Sequence, residues 1–302
     1  MKKILVTGAT GQVGKFLTKK LNQEKKIFTG LDIIEPKILD FDFIKVNLKE
    51  KNDFKKYKEK LEDIDILIHL ASTVNSGQDL SLNGIDSVNL NIHGTLNLLE
   101  NLPNLKHISF ASSYMVYGKP KANPIYESHV TEPDNIYGAS KLITEKILRV
   151  FAEKRNQSLT MLRFMGIYGI VAPYVKQAIP SFIEKILNKE SPTIFGTGNT
   201  KRNHIYIDDA IDAIVVSINK KFGGEFNIGG LEAPSNLEII KIINNTLESK
   251  IKPDFSHSKE KGYSFITDIT KAKTKLAFMP NTGITEGIEK TIKKYEMEQN
   301  DF

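Results

Sequence analysis

The stretch Lys3-Ile4-Leu5-Val6-Thr7-Gly8-Ala9-Thr10-Gly11-Gln12-Val13-Gly14 decides the fold. Residues 3–7 form a short apolar run typical of a buried strand, and a helical pattern extends from residue 12 to about 24. Gly8, Gly11 and Gly14 therefore stand between a strand and a helix. Glycine permits a tight turn and lets the backbone approach a phosphate closely, while a helix start offers free N–H groups and a positive dipole end. The stretch predicts a strand–turn–helix unit that binds a phosphorylated ligand.

Strands and helices alternate over the rest of the first half of the chain. The patterns predict strands at residues 27–32, 43–46, 65–70, 106–111 and 158–164, and helices at residues 89–101 and 137–153. This alternation is typical of an α/β fold with a doubly wound parallel sheet. Beyond Gly169, prolines punctuate shorter elements. We therefore predict a sheet domain at residues 1–169 and a smaller, mainly substrate-binding region at residues 170–302, with a blurred border across which the chain returns.

Composition excludes several classes of protein. The 302 residues include no cysteine, so disulfides and thiolate chemistry are ruled out. The net charge of +6 comes largely from mixed runs of lysine and acidic residues, which indicate a solvated surface. We expect no nucleic-acid partner, because no basic stripe or known module is present. The initial apolar run stops at Thr7, too early for a signal peptide, and no stretch is long enough to span a membrane. We expect a cytoplasmic protein without a metal site.

Asp32 indicates which dinucleotide the glycine turn binds. It ends the second predicted strand, where a carboxylate can accept hydrogen bonds from the adenosine ribose. The same charge would repel a 2′-phosphate, so we expect NAD rather than NADP. Ligands in open α/β sheets gather beyond the carboxyl ends of the strands. Further candidate cofactor contacts at those ends and in the glycine turn are Gln12, Val13, Asn47, Leu48, Leu70, Ala71 and Ser72.

Tyr137 and Lys141 are candidate acid–base residues. They stand at i and i+4 and so share one face of a predicted helix. The ordinary pKa of tyrosine is about 10, but a lysine ammonium one turn away and an oxidised nicotinamide both favour tyrosinate. We therefore expect the pKa of Tyr137 to be lowered. Ser112 and Ser113 follow the strand at residues 106–111 and offer a hydroxyl donor beside them.

Several further motifs follow the glycine turn in order. They are Asn91-Ile92-His93-Gly94-Thr95, Ser112-Ser113-Tyr114-Met115-Val116-Tyr117-Gly118, Tyr137-Gly138-Ala139-Ser140-Lys141, Arg202-Asn203-His204-Ile205-Tyr206-Ile207-Asp208-Asp209, Phe226-Asn227-Ile228-Gly229 and Asp268-Ile269-Thr270-Lys271-Ala272. Together they resemble the NAD-dependent epimerase/dehydratase family of extended short-chain dehydrogenases, which act mostly on nucleotide sugars. The resemblance runs almost end to end and implies a Rossmann sheet.

The resemblance implies roles for individual residues. Tyr137 would be the acid/base, Lys141 would hold the cofactor ribose, and Ser113 would donate to the reacting oxygen. Arg202 would contact the substrate diphosphate, for which a guanidinium can supply paired hydrogen bonds. Asn91 and Phe164 are expected beside the cofactor, with Asn91 in a structural or water-positioning role. Gly166 and Phe195 are expected in the substrate site.

Three departures from the family pattern narrow the reaction and obscure the substrate. Tyr114-Met115 stands where 4,6-dehydratases carry Asp-Glu, which removes the acid and base for water elimination. Gly166 replaces an asparagine that contacts substrate phosphate in many relatives. A late substrate-binding arginine is not evident, and only Lys259 and Lys261 lie in its neighbourhood.

The resulting prediction is a nucleotide-sugar 4-epimerase that works through a transient keto sugar. A reductase of a keto-sugar nucleotide is the alternative, and a non-catalytic dinucleotide-binding regulator is the alternative of another class. Retention of Ser113, Tyr137 and Lys141 argues against the regulator. We also expect a homodimer that packs helices 89–101 and 137–153 of each subunit together. The candidate apolar contacts are Ile92, Leu96, Leu99, Ile143, Ile147 and Leu148.

Overall fold

The computed structural model describes residues 2–73, 82–169, 177–256 and 262–300. The strands in these ranges are β1 Ile4–Thr7, β2 Phe28–Asp32, β3 Asp42–Lys45, β4 Ile66–His69, β5 His107–Ser113, β6 Ser158–Phe164, β7 Ile167–Tyr168, β8 Thr193–Phe195, β9 Ile205–Tyr206, β10 Gly224–Ile228 and β11 Asp254–Ser256. The α-helices are α1 Gln12–Gln23, α2 Lys58–Glu62, α3 Leu82–Val88, α4 Thr95–Glu100, α5 Ile136–Lys154, α6 Ala178–Leu187, α7 Ile207–Lys220, α8 Asn236–Thr246 and α9 Ile284–Asn300.

A parallel sheet organises the molecule. Within the described ranges it has seven strands in the order β10-β6-β5-β4-β1-β2-β3. Ile4 of β1 pairs with Phe28 on one side and Ile66 on the other. The chain therefore runs outward to β3 and then returns to place β4 on the other side of β1. This reversal opens a crevice at the carboxyl ends of β1 and β4, and it confirms the predicted α/β fold with a doubly wound parallel sheet.

Helices cover both faces of the sheet because its strands are apolar on both faces. In β1, Leu5 packs into the core on one side, whereas Ile4 and Val6 pack into the core on the other. The first core includes residues of α4 and α5, and the second includes residues of α1, α6, α7, α8 and α9. Each fully buried aliphatic side chain contributes roughly 1.5–3 kcal/mol of hydrophobic stabilisation.

The chain beyond residue 169 contributes to the main sheet as well as to smaller elements. Phe226 of β10 pairs with Leu162 of β6, and two small sheets pair β7 with β9 and β8 with β11. The β7–β9 pair brings the segment before Ile205 to the carboxyl edge of β6. The division into residues 1–169 and 170–302 stays a prediction. In the part of the chain that the structure describes, no helix has the length and apolar character to cross a bilayer.

The predicted helix at residues 89–101 differs from the structure. A π-helical turn occupies Asn89–Gly94 between α3 and α4. Leu99 and Leu148, predicted for a dimer face, are 1% and 0% exposed and belong to the core within the chain. That part of the dimer prediction is wrong, because both residues point inward to the sheet. Leu96 and Ile143 are exposed, while Ile92 and Ile147 are half-buried.

Candidate active site

The glycine turn joins β1 to α1 at the crevice. Gly8 has φ +70°, in the left-handed region that favours glycine. A Cβ on Gly14 would collide with the carbonyl oxygen of Gly8, so the helix packs directly on the turn. Gly11 caps α1 without a side-chain hydrogen bond, and the first turn has no acidic residue. The helix start thus keeps free N–H groups and a positive field, which fit a dinucleotide pyrophosphate.

The carboxylate of Asp32 is oriented by backbone donors at the end of β2. Thr10 N donates to Oδ2 at 3.0 Å, and Ile33 N donates to Oδ1 at 2.7 Å. An ionised carboxylate accepts about four hydrogen bonds, so lone pairs remain for ribose hydroxyls. Because Thr10 belongs to the glycine turn, one hydrogen bond sets the position of the acidic residue relative to the pyrophosphate-binding turn.

A buried chain of hydrogen bonds fixes the loop after β4, and the sequence reasoning missed it. Thr95 Oγ1 donates to the Asn91 carbonyl at 2.6 Å, so it accepts from His69 Nε2 at 2.9 Å. His69 Nδ1 then accepts from Thr7 Oγ1 at 2.7 Å, and that oxygen accepts from Ala71 N at 3.2 Å. Burial lowers the pKa of His69 to about 3 and keeps it neutral. A polar residue inside the apolar run of β4 was the available signal.

One cavity of about 740 Å³ runs along the carboxyl edge of the sheet. At one end it is lined by Asp32 and Ile33, and at the other by Arg202, His204 and Gln177. It brings together most of the predicted site residues, namely Gly8, Gly11, Gln12, Val13, Gly14, Asp32, Asn47, Leu48, Leu70, Ala71, Ser72, Ser113, Tyr137, Lys141, Phe164, Gly166 and Arg202. A single elongated space therefore connects the glycine turn with the candidate acid–base residues and with Arg202.

The candidate catalytic side chains meet where β5 ends and α5 begins. Ser113 is the last residue of β5, and Asn135 caps α5 by accepting from Gly138 N at 2.8 Å. The half-buried Tyr137 lines the cavity together with Ser113 and Ser72, whose hydroxyls favour its ionised form. The buried Lys141 Nζ donates to the carbonyl of Ala111 at 2.8 Å. The sheet thus supplies the hydroxyl and the carbonyl, while the helix supplies tyrosine and lysine.

The expected lowering of the tyrosine pKa does not occur in the protein by itself. Burial of its hydroxyl raises the pKa of Tyr137 to about 12, against the opposing influence of the Ser113 and Ser72 hydroxyls. Burial also lowers the pKa of Lys141 to about 7, partly offset by the carboxylate of Glu145. Near neutral pH the amine is only partly protonated, so it does not compensate for tyrosinate desolvation. The predicted lowering counted a second cation, the oxidised nicotinamide, so it stays a prediction for the NAD-bound protein.

A buried ion pair connects α5, the helix that carries two of the candidate catalytic residues, to the sheet. Arg163 donates to Glu145 through Nε at 3.0 Å and through Nη2 at 2.7 Å, and both side chains are buried. Ser112 Oγ donates to Glu145 at 2.6 Å, and Arg163 Nη1 donates to Tyr117 at 3.0 Å. The network ties β5, β6 and α5 together. The signals in the sequence were a charge inside the apolar strand at residues 158–164 and a glutamate four residues after Lys141.

Asn91, predicted beside the cofactor, lies behind the cavity and does not line it. Its Nδ2 donates to Ser140 Oγ at 2.8 Å, and its carbonyl accepts from Thr144 Oγ1 at 2.9 Å. The π-helical turn opens the backbone around this carbonyl and lets α5 bond to it. Asn91 Oδ1 is buried without a hydrogen-bond partner in the described residues. The structure therefore places Asn91 in the packing of two helices.

Arg202 reaches the cavity together with an aromatic partner. Its Nη1 donates to the hydroxyl of Tyr114 at 3.1 Å. The ring of Tyr114 packs edge-on against Phe265, with 4.8 Å between ring centres. Tyr114, noted in the sequence only as a replacement for an acid, therefore holds the guanidinium beside the end of β5. Within the described ranges the guanidinium has no other hydrogen bond, and its remaining N–H groups can donate to an anionic ligand.

The space beside Gly166 is filled by a neighbouring side chain. A Cβ on Gly166 would lie 2.6 Å from Nδ1 of His204 and 3.1 Å from its Cε1. His204 also lines the cavity. Burial and the charge of Arg202 lower the pKa of His204 to about 4. Sequence reasoning missed this neutral imidazole, because only the paired strands β7 and β9 bring it to Gly166.

Two of the predicted substrate contacts are not found at the cavity: one residue lies away from it, and the other position is outside the described residues. Phe195 is 68% exposed on β8 and does not line the cavity, because the pairing of β8 with β11 holds it away from the main sheet. Lys259 and Lys261, the neighbourhood of the expected late arginine, lie outside the described residues.

The sheet order and the glycine turn at its carboxyl edge define a Rossmann-type dinucleotide-binding protein. Residues 4–229 match the family described as "NAD dependent epimerase/dehydratase family", and the chain belongs to this family. The resemblance drawn from the motifs is thereby confirmed, as is NAD as the predicted cofactor. The free N–H groups of α1 and the oriented carboxylate of Asp32 suit that cofactor.

The chain is similar to nucleotide-sugar enzymes over nearly its whole length. A putative UDP-glucose 4-epimerase of Methanocaldococcus jannaschii is 30% identical, with 96% of this chain and 97% of that protein covered. The dTDP-4-dehydro-6-deoxyglucose reductase of Escherichia coli is also 30% identical, with 96% of each covered. The crystal structure of UDP-glucuronic acid 4-epimerase from Bacillus cereus, in complex with UDP-glucuronic acid and NAD, is 28% identical. It has a TM-score of 0.87 and covers 98% of this chain and 99% of that one.

Proposed function

We propose that the protein is a nucleotide-sugar 4-epimerase whose substrate is a UDP-linked hexose. The observation that carries this proposal is the single cavity in which Ser113, Tyr137 and Lys141 lie between the glycine turn and Arg202. The similarity to 4-epimerases, one of them with a UDP-sugar and NAD, supports the same reaction and nucleotide.

In the proposed reaction the protein moves a proton and holds the sugar. Tyr137, as tyrosinate, accepts the proton of the C4 hydroxyl and returns it after the sugar turns over, while Ser113 donates a hydrogen bond to the C4 oxygen. The glycine turn and Asp32 would hold NAD, which would supply reversible hydride transfer at C4 and a positive charge near Tyr137. Lys141 orients the cofactor ribose. No net oxidation occurs, so no external reductant is consumed.

Tyr114 argues against water elimination by this site. It stands directly after Ser113, and its hydroxyl accepts from Arg202 at 3.1 Å. Water elimination needs a general acid and a general base beside the sugar, and Tyr114-Met115 supplies no carboxylate there. Arg202 is proposed to bind the substrate diphosphate with its remaining donors.

A reductase of a keto-sugar nucleotide is the second candidate, favoured by the similarity to the Escherichia coli reductase. Such an enzyme would use the same three residues but consume external NADH or NADPH. The two reactions separate in one experiment. The purified protein is denatured and released NAD is assayed, and native protein is incubated with UDP-sugars without added cofactor. Bound NAD and turnover without added cofactor support the epimerase, whereas turnover that requires added NADH or NADPH supports the reductase.

We also propose a homodimer formed by the exposed faces of α4 and α5. Leu96 and Ile143 are 40% and 46% exposed, and Val150 adds a further apolar side chain on α5. Apolar groups on neighbouring helices supply the continuous surface that helix packing between subunits requires.

A further inference from the structure

The pair formed by Gly166 and His204 leaves one polar group of the cavity without an assigned role. The imidazole packs directly on Gly166, where an added Cβ would lie 2.6 Å from Nδ1 and 3.1 Å from Cε1. The Gly166 carbonyl accepts from Ile205 N at 3.1 Å, so the backbone on both sides of this contact is held in place.

The protonation state of His204 decides what its ring offers to a ligand. The pKa of about 4, lowered by burial and by Arg202, leaves the ring neutral at physiological pH. A neutral imidazole carries one N–H donor and one nitrogen lone pair. Because His204 lines the cavity, the protein presents a neutral hydrogen-bonding ring there, beside the charged Arg202.

The imidazole shares the cavity with the reacting groups and with Arg202. Gly166 follows Phe164, which pairs in register with Ser113. His204 comes two residues after Arg202 and directly before β9, which pairs with β7. His204 thus belongs to the same end of the cavity as Ser113 and Arg202. A nucleotide sugar bound as proposed, with C4 at Ser113 and the diphosphate at Arg202, has its sugar ring in this part of the cavity.

We propose that the neutral imidazole of His204 binds a hydroxyl of the substrate sugar on a carbon other than C4, and so selects sugars that carry a hydroxyl there. A sugar hydroxyl both donates and accepts, so it suits either nitrogen of a neutral imidazole. Gly166 is required because any side chain there would displace the imidazole. This inference rests on the proposed nucleotide-sugar substrate.

The test measures binding without turnover, in a Tyr137→Phe background. UDP, UDP-glucose and its 2-, 3- and 6-deoxy analogues are titrated by calorimetry into protein with His204 or with His204→Phe. A hydrogen bond of ordinary strength corresponds to about three- to tenfold in affinity. We expect one deoxy analogue to bind about that much more weakly than UDP-glucose when His204 is present. With His204→Phe, UDP-glucose should bind as weakly as that analogue, while UDP binding stays unchanged.

Two results would overturn the assignment. One is a loss of affinity, from UDP-glucose to the deoxy analogue, that is the same with and without His204. The other is an equal loss for UDP and UDP-glucose, which would locate the group bound by His204 in the nucleotide. His204→Gln keeps an acceptor oxygen and should retain part of the selectivity. Turnover assays of the wild type test the proposed epimerase reaction separately. If the affinity difference between UDP-glucose and the deoxy analogue depends on His204 but no turnover is found, the result counts against the reaction and supports the subsite.

Gly166 supplies an independent arm of the test. Gly166→Ala should reproduce the loss of selectivity, since its Cβ lies 2.6 Å from the His204 ring. In a His204→Ala background the space is open, so the same substitution should have no further effect. If Gly166→Ala reduces the selectivity for UDP-glucose over the deoxy analogue equally in both backgrounds, the proposal is overturned. NAD binding, measured for every variant, checks that the fold is intact.

Discussion

Arg163 and Glu145 form a buried ion pair that is joined by two hydrogen bonds. Glu145 lies on α5, one helical turn after Lys141. The pair connects β6 to α5, and Ser112 adds a bond from β5 to the same carboxylate. Breaking such a pair leaves an uncompensated buried charge, which costs more than the intact pair contributes. The arrangement of the candidate catalytic strand and helix depends on this contact.

Replacing Arg163 by methionine should therefore destabilise the protein by about 3–5 kcal/mol. Urea unfolding measures the change. Arg149→Met is the matched control, because Arg149 bonds to Glu225 at 3.1 Å but is 43% exposed. The control should cost no more than about 1 kcal/mol. If both variants lose a similar free energy of unfolding, burial is not what makes the Arg163–Glu145 pair important for stability.

Tyr137→Phe should reduce turnover by roughly 10²–10⁴-fold, the range for removal of a general acid–base group. The substitution removes only the hydroxyl, and the glycine turn and Asp32 stay intact, so NAD should bind nearly as before. Initial rates on the identified substrate and NAD calorimetry check both statements. Ser113→Ala should cost less, since it removes one hydrogen bond rather than the proton carrier. Wild-type turnover of Tyr137→Phe would show that the residue or the reaction is wrongly assigned.

The buried amine of Lys141 should leave a signature in the pH dependence of stability. Its pKa falls from 10.5 to about 7 on burial, so between these values the unfolded chain binds more protons than the folded protein. Stability from this group then rises with pH across that window. The free energy of unfolding of the wild type, relative to Lys141→Met, should increase from pH 7 to pH 9. Lys146→Met controls for loss of an exposed lysine from α5. A constant difference between wild type and Lys141→Met would refute the shift.

NAD should bind at least about tenfold more tightly than NADP. A carboxylate and a phosphate about 4 Å apart near a protein surface repel by ~4 kcal/mol, and Asp32 is held at the expected ribose position. Calorimetry with each dinucleotide measures the preference. Asp32→Asn removes the charge while keeping an acceptor for Thr10 N, so it should narrow the difference. Equal binding of both dinucleotides to the wild type would contradict the prediction.

Light scattering at micromolar concentration should give about twice the 34.0 kDa chain mass. Introducing charge on the proposed interface, with Leu96→Glu and Ile143→Glu together, should give a monomer because a buried unpaired charge is costly. Ile38→Glu replaces an apolar side chain that is 78% exposed on the loop after β2 and should leave the mass unchanged. A monomeric wild type would refute the assembly.

Local sequence was sufficient to predict the glycine turn, the acidic residue after β2 and the i, i+4 placement of Tyr137 and Lys141. Each depends on neighbouring residues: a strand followed by glycines, a strand end, or a helical repeat. The alternation of strands and helices also determined the doubly wound parallel sheet, because buried parallel strands must be covered by helices on both faces.

Tertiary structure decided the features that depend on residues distant in the chain. Burial, which no short motif encodes, raises the pKa of Tyr137 and lowers that of Lys141. The Glu145–Arg163 pair and the His204 ring over Gly166 arise only when separate strands are brought together. Sequence determines such contacts through the whole fold, since desolvation and side-chain packing depend on everything that surrounds a group.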